Sequence, residues 1–127
     1  MARFLWICLG GAAGTGARYL LTMGAAAALG TRFPYGTLAV NIIGSFLIGG
    51  IMHVGLTTDV ISPTTRMALT TGIMGGLTTY STFSFETVRY LQQGAWALGA
   101  LNILLTTASC LVACMLGIAA GRWVLAG

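Results

Sequence analysis

The chain has 127 residues, of which 57% are hydrophobic and 6% charged, and its mean hydropathy is +0.90. Soluble domains carry roughly 25% charged residues, so this chain has too few charges to cover a water-facing surface. Its net charge of +4 comes from six arginines set singly in apolar sequence against Asp59 and Glu86. That scatter excludes the basic stripe a nucleic-acid partner requires.

A helix crosses the hydrocarbon core with about 20 apolar residues, so the length suits four crossings in a single membrane domain, residues 1–127, with no room for a soluble one. The first apolar block runs from about Phe4 to Leu29 and ends at Gly30-Thr31-Arg32-Phe33-Pro34. Its start, one arginine followed by an apolar run, has the outline of a secretory signal, but the apolar pattern continues past any cleavage point and the reading is a retained helix. Within it, Gly10 and Gly14 form a G-x-x-x-G pair, a spacing that lets helix backbones approach closely in lipid. The glycines lack the spacing of a dinucleotide fingerprint.

The second block runs from about Tyr35 to Leu56 and stops in the polar connector 57–64. Both prolines, Pro34 and Pro63, fall in connectors, where helices end. The third block, about Arg66 to Gln93, differs from the others. Between Thr70 and Ser84 it holds seven serine or threonine hydroxyls and the glycines Gly72, Gly75 and Gly76. Glycine and β-branched residues disfavour a continuous helix, so Gly75-Gly76-Leu77-Thr78-Thr79 is predicted to interrupt it. Irregular backbone at membrane depth is tolerated only when covered by protein or lining a cavity, and its free carbonyls suit a small cation. The fourth block runs from about Trp96 to Leu125; Trp6, Trp96 and Trp123 lie near block ends, where indoles favour the headgroup level.

With four crossings both termini share a side. Arg3, Arg66 and Arg122 then fall near that face, and Arg32, Arg89 and the mid-helix Arg18 nearer the other. Orientation follows the bias of basic residues between loops, and an even division predicts insertion both ways. Two inverted copies paired about an axis in the membrane plane form the homodimeric version of an inverted repeat.

Polar groups within membrane spans are costly and face a bundle interior or a pathway. Arg18 either snorkels towards the headgroups or lines a vestibule. Asn41 is too short to snorkel and offers two amide donors, for interhelical bonding or for a ligand. Tyr80 and Phe83 share a helix face, and an aromatic edge is electropositive; Ser81, Thr82 and Ser84 add hydroxyls, which in helices commonly bond back to their own backbone. Asn102, Thr106, Cys110 and Cys114 recur every four residues as a stripe on the fourth helix. The cysteines have no C-x-x-C pairing and no companion ligands, so they read as buried thiols. No acid pair or Ser/His/Asp set exists and His53 is the only histidine, so no catalytic constellation is legible.

The stretch from Gly72 to Glu86, GIMGGLTTYSTFSFE, closely resembles the third-helix signature of the Fluc (CrcB) fluoride channels. The run from Gly10 to Tyr19 looks like that family's first-helix motif, and Gly36-Thr37-Leu38-Ala39-Val40-Asn41 like the start of its second helix. The resemblance spans the whole chain in order. It implies an all-α membrane protein of four transmembrane helices with a broken third helix, working as an antiparallel, dual-topology homodimer with two pores. It implies passive, selective export of cytoplasmic fluoride across the bacterial inner membrane. It also implies a structural Na+ at the dimer interface, held by the backbone carbonyls of Gly75 and Thr78. By motif position, Asn41 is the pore amide, Tyr80 and Phe83 are the aromatic-box residues, Ser81 and Thr82 add pore hydroxyls, Thr106 and Cys110 lie on the fourth-helix track, and Arg18 lies in the vestibule. The chain departs from the family pattern at Tyr80, where phenylalanine is usual, and at the fourth-helix track, which normally carries hydroxyls or a histidine. A proton-coupled multidrug exporter of similar size would need a membrane carboxylate in its first helix, which has none. A non-transporting assembly subunit would leave the hydroxyl-rich third block unexplained.

Overall fold

The computed structural model describes residues 1–127 and is helical throughout, with no strand. Helix α1 spans Ala2–Leu29 and stops at Gly30, whose φ of 81° is a conformation open to glycine and whose N–H donates to the Ala26 carbonyl. Pro34 then leads into α2, Tyr35–Thr57. The polar connector is shorter than its composition implies. Ser62 accepts from the Thr65 N–H as an N-cap, and Pro63 opens the short helix α3, Pro63–Met67, at the position where its missing N–H costs nothing.

The third block is built in pieces. A π-helical stretch, Ala68–Met74, follows α3 directly and passes into a single turn, α4, Gly75–Leu77. Thr78 and Thr79 are extended, with φ/ψ of −81°/157° and −152°/111°, and helix α5 resumes over Tyr80–Gln92. After Gly94, at φ 73°, α6 runs over Trp96–Ala126.

The non-helical backbone is thus narrower than the expected five residues: Gly75, Gly76 and Leu77 remain helical, and only the two threonines depart. The glycines serve packing instead. A Cβ on Gly72 would lie 2.8 Å from the Ile7 carbonyl oxygen, and one on Gly76 would overlap the Gly11 carbonyl and lie 2.9 Å from the Thr15 nitrogen. Gly10 and Gly14 answer from α1, both buried against the same segment. Four glycines therefore bring α1 and the third segment into backbone contact. The most extensive pairing is α2 with α6. There Gly49 meets the Cys114 carbonyl, Gly117 meets the Phe46 carbonyl, and Gly121 meets His53.

Helices α2 and α6 are long and apolar enough to cross a membrane. Only 22 of the 127 residues are buried, while Leu104, Met115, Leu116 and Trp123 stand exposed along α6. So much exposed apolar surface matches a lipid or protein environment rather than water. The small core, Val40, Met74 and Leu77 with Ile48 and Ile73 packed around it, lies beside the interruption and anchors α2 to it.

Candidate ion-binding site at the helix interruption

The interruption is held by a side chain that imitates backbone. The Thr78 N–H completes the preceding turn at the Met74 carbonyl, 2.9 Å away. The next amide turns aside: Thr79 N–H donates to Asn41 Oδ1 at 2.8 Å, and Asn41 Nδ2 donates to the Thr79 carbonyl at 3.1 Å. One buried amide from α2 thus satisfies both polar groups of the extended residue, a requirement wherever water is excluded. Two consequences follow. The Gly75 carbonyl loses the Thr79 N–H that a continuous helix would supply, and α5 gains a clean start. Thr79 Oγ1 accepts from the Thr82 N–H at 3.2 Å as N-cap of α5 and donates to Thr82 Oγ1 at 2.9 Å. The Thr78 methyl fits only because Gly44 has no Cβ.

A cavity of about 450 Å³ opens beside this junction, between α2, the third segment and α6. It gathers Asn41, Tyr80, Phe83, Thr106 and Cys110, together with Gly75 and Thr78. Tyr80 and Phe83 stand with ring centroids 5.4 Å apart and planes tilted by 53°. Phe83 is 8% exposed, whereas Tyr80 is 80% exposed and projects away from the rest of the chain. Thr106 Oγ1 donates a long bond, 3.4 Å, to Asn102 Oδ1. Asn102, at 1% exposure, is itself tied to α5 through a 2.9 Å bond from Nδ2 to Thr87 Oγ1.

Two of the sequence-predicted hydroxyls lie elsewhere. Ser81 and Thr82 do not line the cavity; they group with Thr79 in the cap of α5. Arg18 is not a lining residue either, but its Nη1 lies 3.5 Å from the Thr78 carbonyl oxygen. Sequence reasoning missed the capping role of Thr79, for which the only signal is a threonine, a favoured N-cap residue, just before Tyr80, and missed Thr87, whose link to Asn102 leaves no trace in one-dimensional spacing. The Glu86 carboxylate accepts from Thr37 Oγ1 at 2.7 Å, across to α2, in a second cavity of about 360 Å³ bordered by Arg32, Arg89 and Tyr90.

The model of the CrcB-like, camphor-resistance (CrcB) family matches residues 5–118. The chain belongs to that family. Every candidate residue from Arg18 to Cys110 lies within the matched stretch. The chain is 52% identical over 127 residues to a fluoride-specific ion channel of Sorangium cellulosum, covering all of both chains. It is 49% identical over 124 residues to the protein of the same name from Anaeromyxobacter sp., with 98% of each chain covered. To the one from Geobacter sulfurreducens it is 49% identical over 122 residues, with 96% of this chain and 98% of that one covered. CrcB-family relatives of this kind are channels, and the chain is not an enzyme.

Proposed function

We propose that this chain is a fluoride-selective channel of the bacterial inner membrane that lets cytoplasmic fluoride leave passively and so confers fluoride resistance. The observation that carries the reading is the cavity at Thr78–Thr79, where an amide, two aromatic rings and α6 polar groups converge without a lysine or arginine in the lining, in a chain half identical to fluoride-specific channels over its whole length. Fluoride holds its water tightly, so a pore must replace those hydrogen bonds with fixed donors. A full positive charge would hold the ion too firmly to release it. One hydrogen of Asn41 Nδ2 is committed to Thr79, which leaves the other for an anion. The edges of Phe83 and Tyr80 present positive potential without charge.

The working unit is an antiparallel, dual-topology homodimer with two pores, each chain crossing the membrane four times with its third helix broken. Three features support this: the even division of arginines, the exposure of Tyr80 beside the interruption, and the cost of leaving extended backbone open to lipid. The donor set fits a structural Na+ at the interface. The Gly75 carbonyl is deprived of its helical partner, the Thr78 carbonyl sits on extended backbone, and neutral carbonyl oxygens suit such a cation. When bound, it supplies fixed positive charge between the pores. Gly75 and Thr78 would hold it, Arg18 would approach the Thr78 carbonyl from the vestibule side, and Thr106 and Cys110 would continue the pore along α6.

Fluoride efflux from liposomes holding the purified protein tests the assignment. The wild type should release fluoride without proton coupling, and Asn41→Asp and Phe83→Ile should each lose most of the flux. Normal flux in both variants removes the cavity from the pathway.

A further inference from the structure

The hydroxyls of the cavity divide by where their protons go. Thr70 Oγ1 donates to the Arg66 carbonyl at 2.8 Å, Thr78 Oγ1 to the Met74 carbonyl at 2.8 Å, Thr79 to Thr82, and Thr106 to Asn102. Elsewhere Thr57, Thr58, Ser84, Thr87 and Ser109 likewise donate to the carbonyl four residues back, the usual resting place of a helical hydroxyl. Two serine or threonine hydroxyls that line the cavity, those of Ser45 and Thr107, make no such bond. Thr107 is exposed on α6, whereas Ser45 lies half-buried in mid-α2, where its Oγ makes no hydrogen bond with the Asn41 carbonyl or any other group.

Ser45 follows Asn41 by one helical turn, so the two side chains share the face of α2 that looks across the cavity to Thr106 and Cys110. Glycines border this face: Gly44 beside Thr78 and Gly49 against the Cys114 carbonyl. An uncommitted hydroxyl in an apolar span is costly unless something takes its proton. From these observations, and resting on the channel reading above, we infer that Ser45 is a pore donor: its hydroxyl contacts the dehydrated anion next to the free hydrogen of Asn41. The pair forms a two-donor ladder on α2. The committed hydroxyls of Thr70, Thr78 and Thr79 shape the wall and supply no proton. Selection for a small, strongly basic halide then rests on O–H and N–H donors that no internal acceptor competes for. Cys110, a weak donor, faces them as the softer side of the passage.

The test is fluoride efflux from liposomes, measured over a range of fluoride concentrations for the full-length wild type, Ser45→Ala, Ser45→Cys and Ser109→Ala. A hydrogen bond to a charged partner is worth ~1.5–3 kcal/mol, so Ser45→Ala should lower flux at sub-saturating fluoride by about tenfold or more and raise the half-saturating concentration. Ser45→Cys, nearly isosteric with a poor donor, should fall between. Ser109→Ala, whose hydroxyl is spent on Leu105 outside the cavity, should match the wild type. The Ser45 hydroxyl holds no partner within the chain, so Ser45→Ala should keep the wild-type thermal midpoint and oligomeric state. Wild-type flux and half-saturation in Ser45→Ala, with a conducting wild type, overturns the role of Ser45 alone. Flux loss in Ser45→Ala and Ser45→Cys alike that tracks a fall in thermal midpoint assigns the residue to packing and overturns it too. A wild type that passes no fluoride overturns the channel reading itself.

Discussion

Replacing Asn41 by leucine keeps the volume and removes both bonds that close the interruption. The Thr79 N–H loses its 2.8 Å acceptor and the Thr79 carbonyl its 3.1 Å donor. Thr79 is 7% exposed and Asn41 9%, so water is a poor substitute for either partner. A buried polar group left unsatisfied costs about 1–3 kcal/mol, and two of them about 2–6 kcal/mol. Asn41→Asp retains an acceptor for the Thr79 N–H and orphans only the carbonyl, at about half that cost in lost bonds, although it sets a carboxylate near a carbonyl oxygen. The two variants therefore separate structure from conduction. Both should abolish most fluoride flux, but in thermal unfolding of the purified protein in detergent Asn41→Leu should melt well below the wild type. Refolding the interruption into continuous helix would return the Thr79 N–H to the Gly75 carbonyl, so a second expected signature is loss of any Na+-dependent rise in melting temperature. A leucine variant that melts with the wild type, and gains the same protection from Na+, would refute the view that this amide holds the interruption open.

Gly76→Ala should prevent α1 from seating on the third segment, since the new methyl would overlap the Gly11 carbonyl and lie 2.9 Å from the Thr15 nitrogen. Low yield of folded protein and loss of the main size-exclusion peak are the expected outcome, whereas Gly24→Ala, with open space around it, should behave as wild type. Asn102→Leu and Thr87→Val each break the 2.9 Å bond between α6 and α5. Each should destabilise by about 1–3 kcal/mol through the partner left buried. The double variant should cost less than the sum, as a double-mutant cycle on thermal stability will report.

Much of the fold is legible in the chain because the bilayer narrows the choices. Apolar run length, Pro34, Pro63 and Gly30 bracket α1 and α2 to within a residue or two, and Trp96 marks the start of α6. Periodicity contributed less, since helices exposed to lipid carry apolar residues on all sides. Asn41, Tyr80, Phe83, Thr106 and Cys110 were legible as candidates because polar or ring-edge chemistry in an apolar span is conspicuous, and the fold collects all five around one cavity. Ser81 and Thr82 were read by the same logic yet lie in the cap of α5. Their spacing matches a lining face and a cap equally well.

Composition and run length alone determined that this is a helical membrane protein with one anomalous segment, because the cost of burying charge and unpaired backbone in lipid is set by residue type. Which donors remain free was decided only by tertiary structure. A glycine that loosens a helix and one that admits a neighbour's carbonyl are the same residue in sequence, and only the contact with α1 assigned Gly72 and Gly76 to the second role. Likewise Thr70 and Ser45 are both hydroxyls on the cavity wall, but one proton is spent on a carbonyl 2.8 Å away and the other is not. Hydrogen bonds act over about 3 Å, so their allocation depends on which helices pack together and in what register.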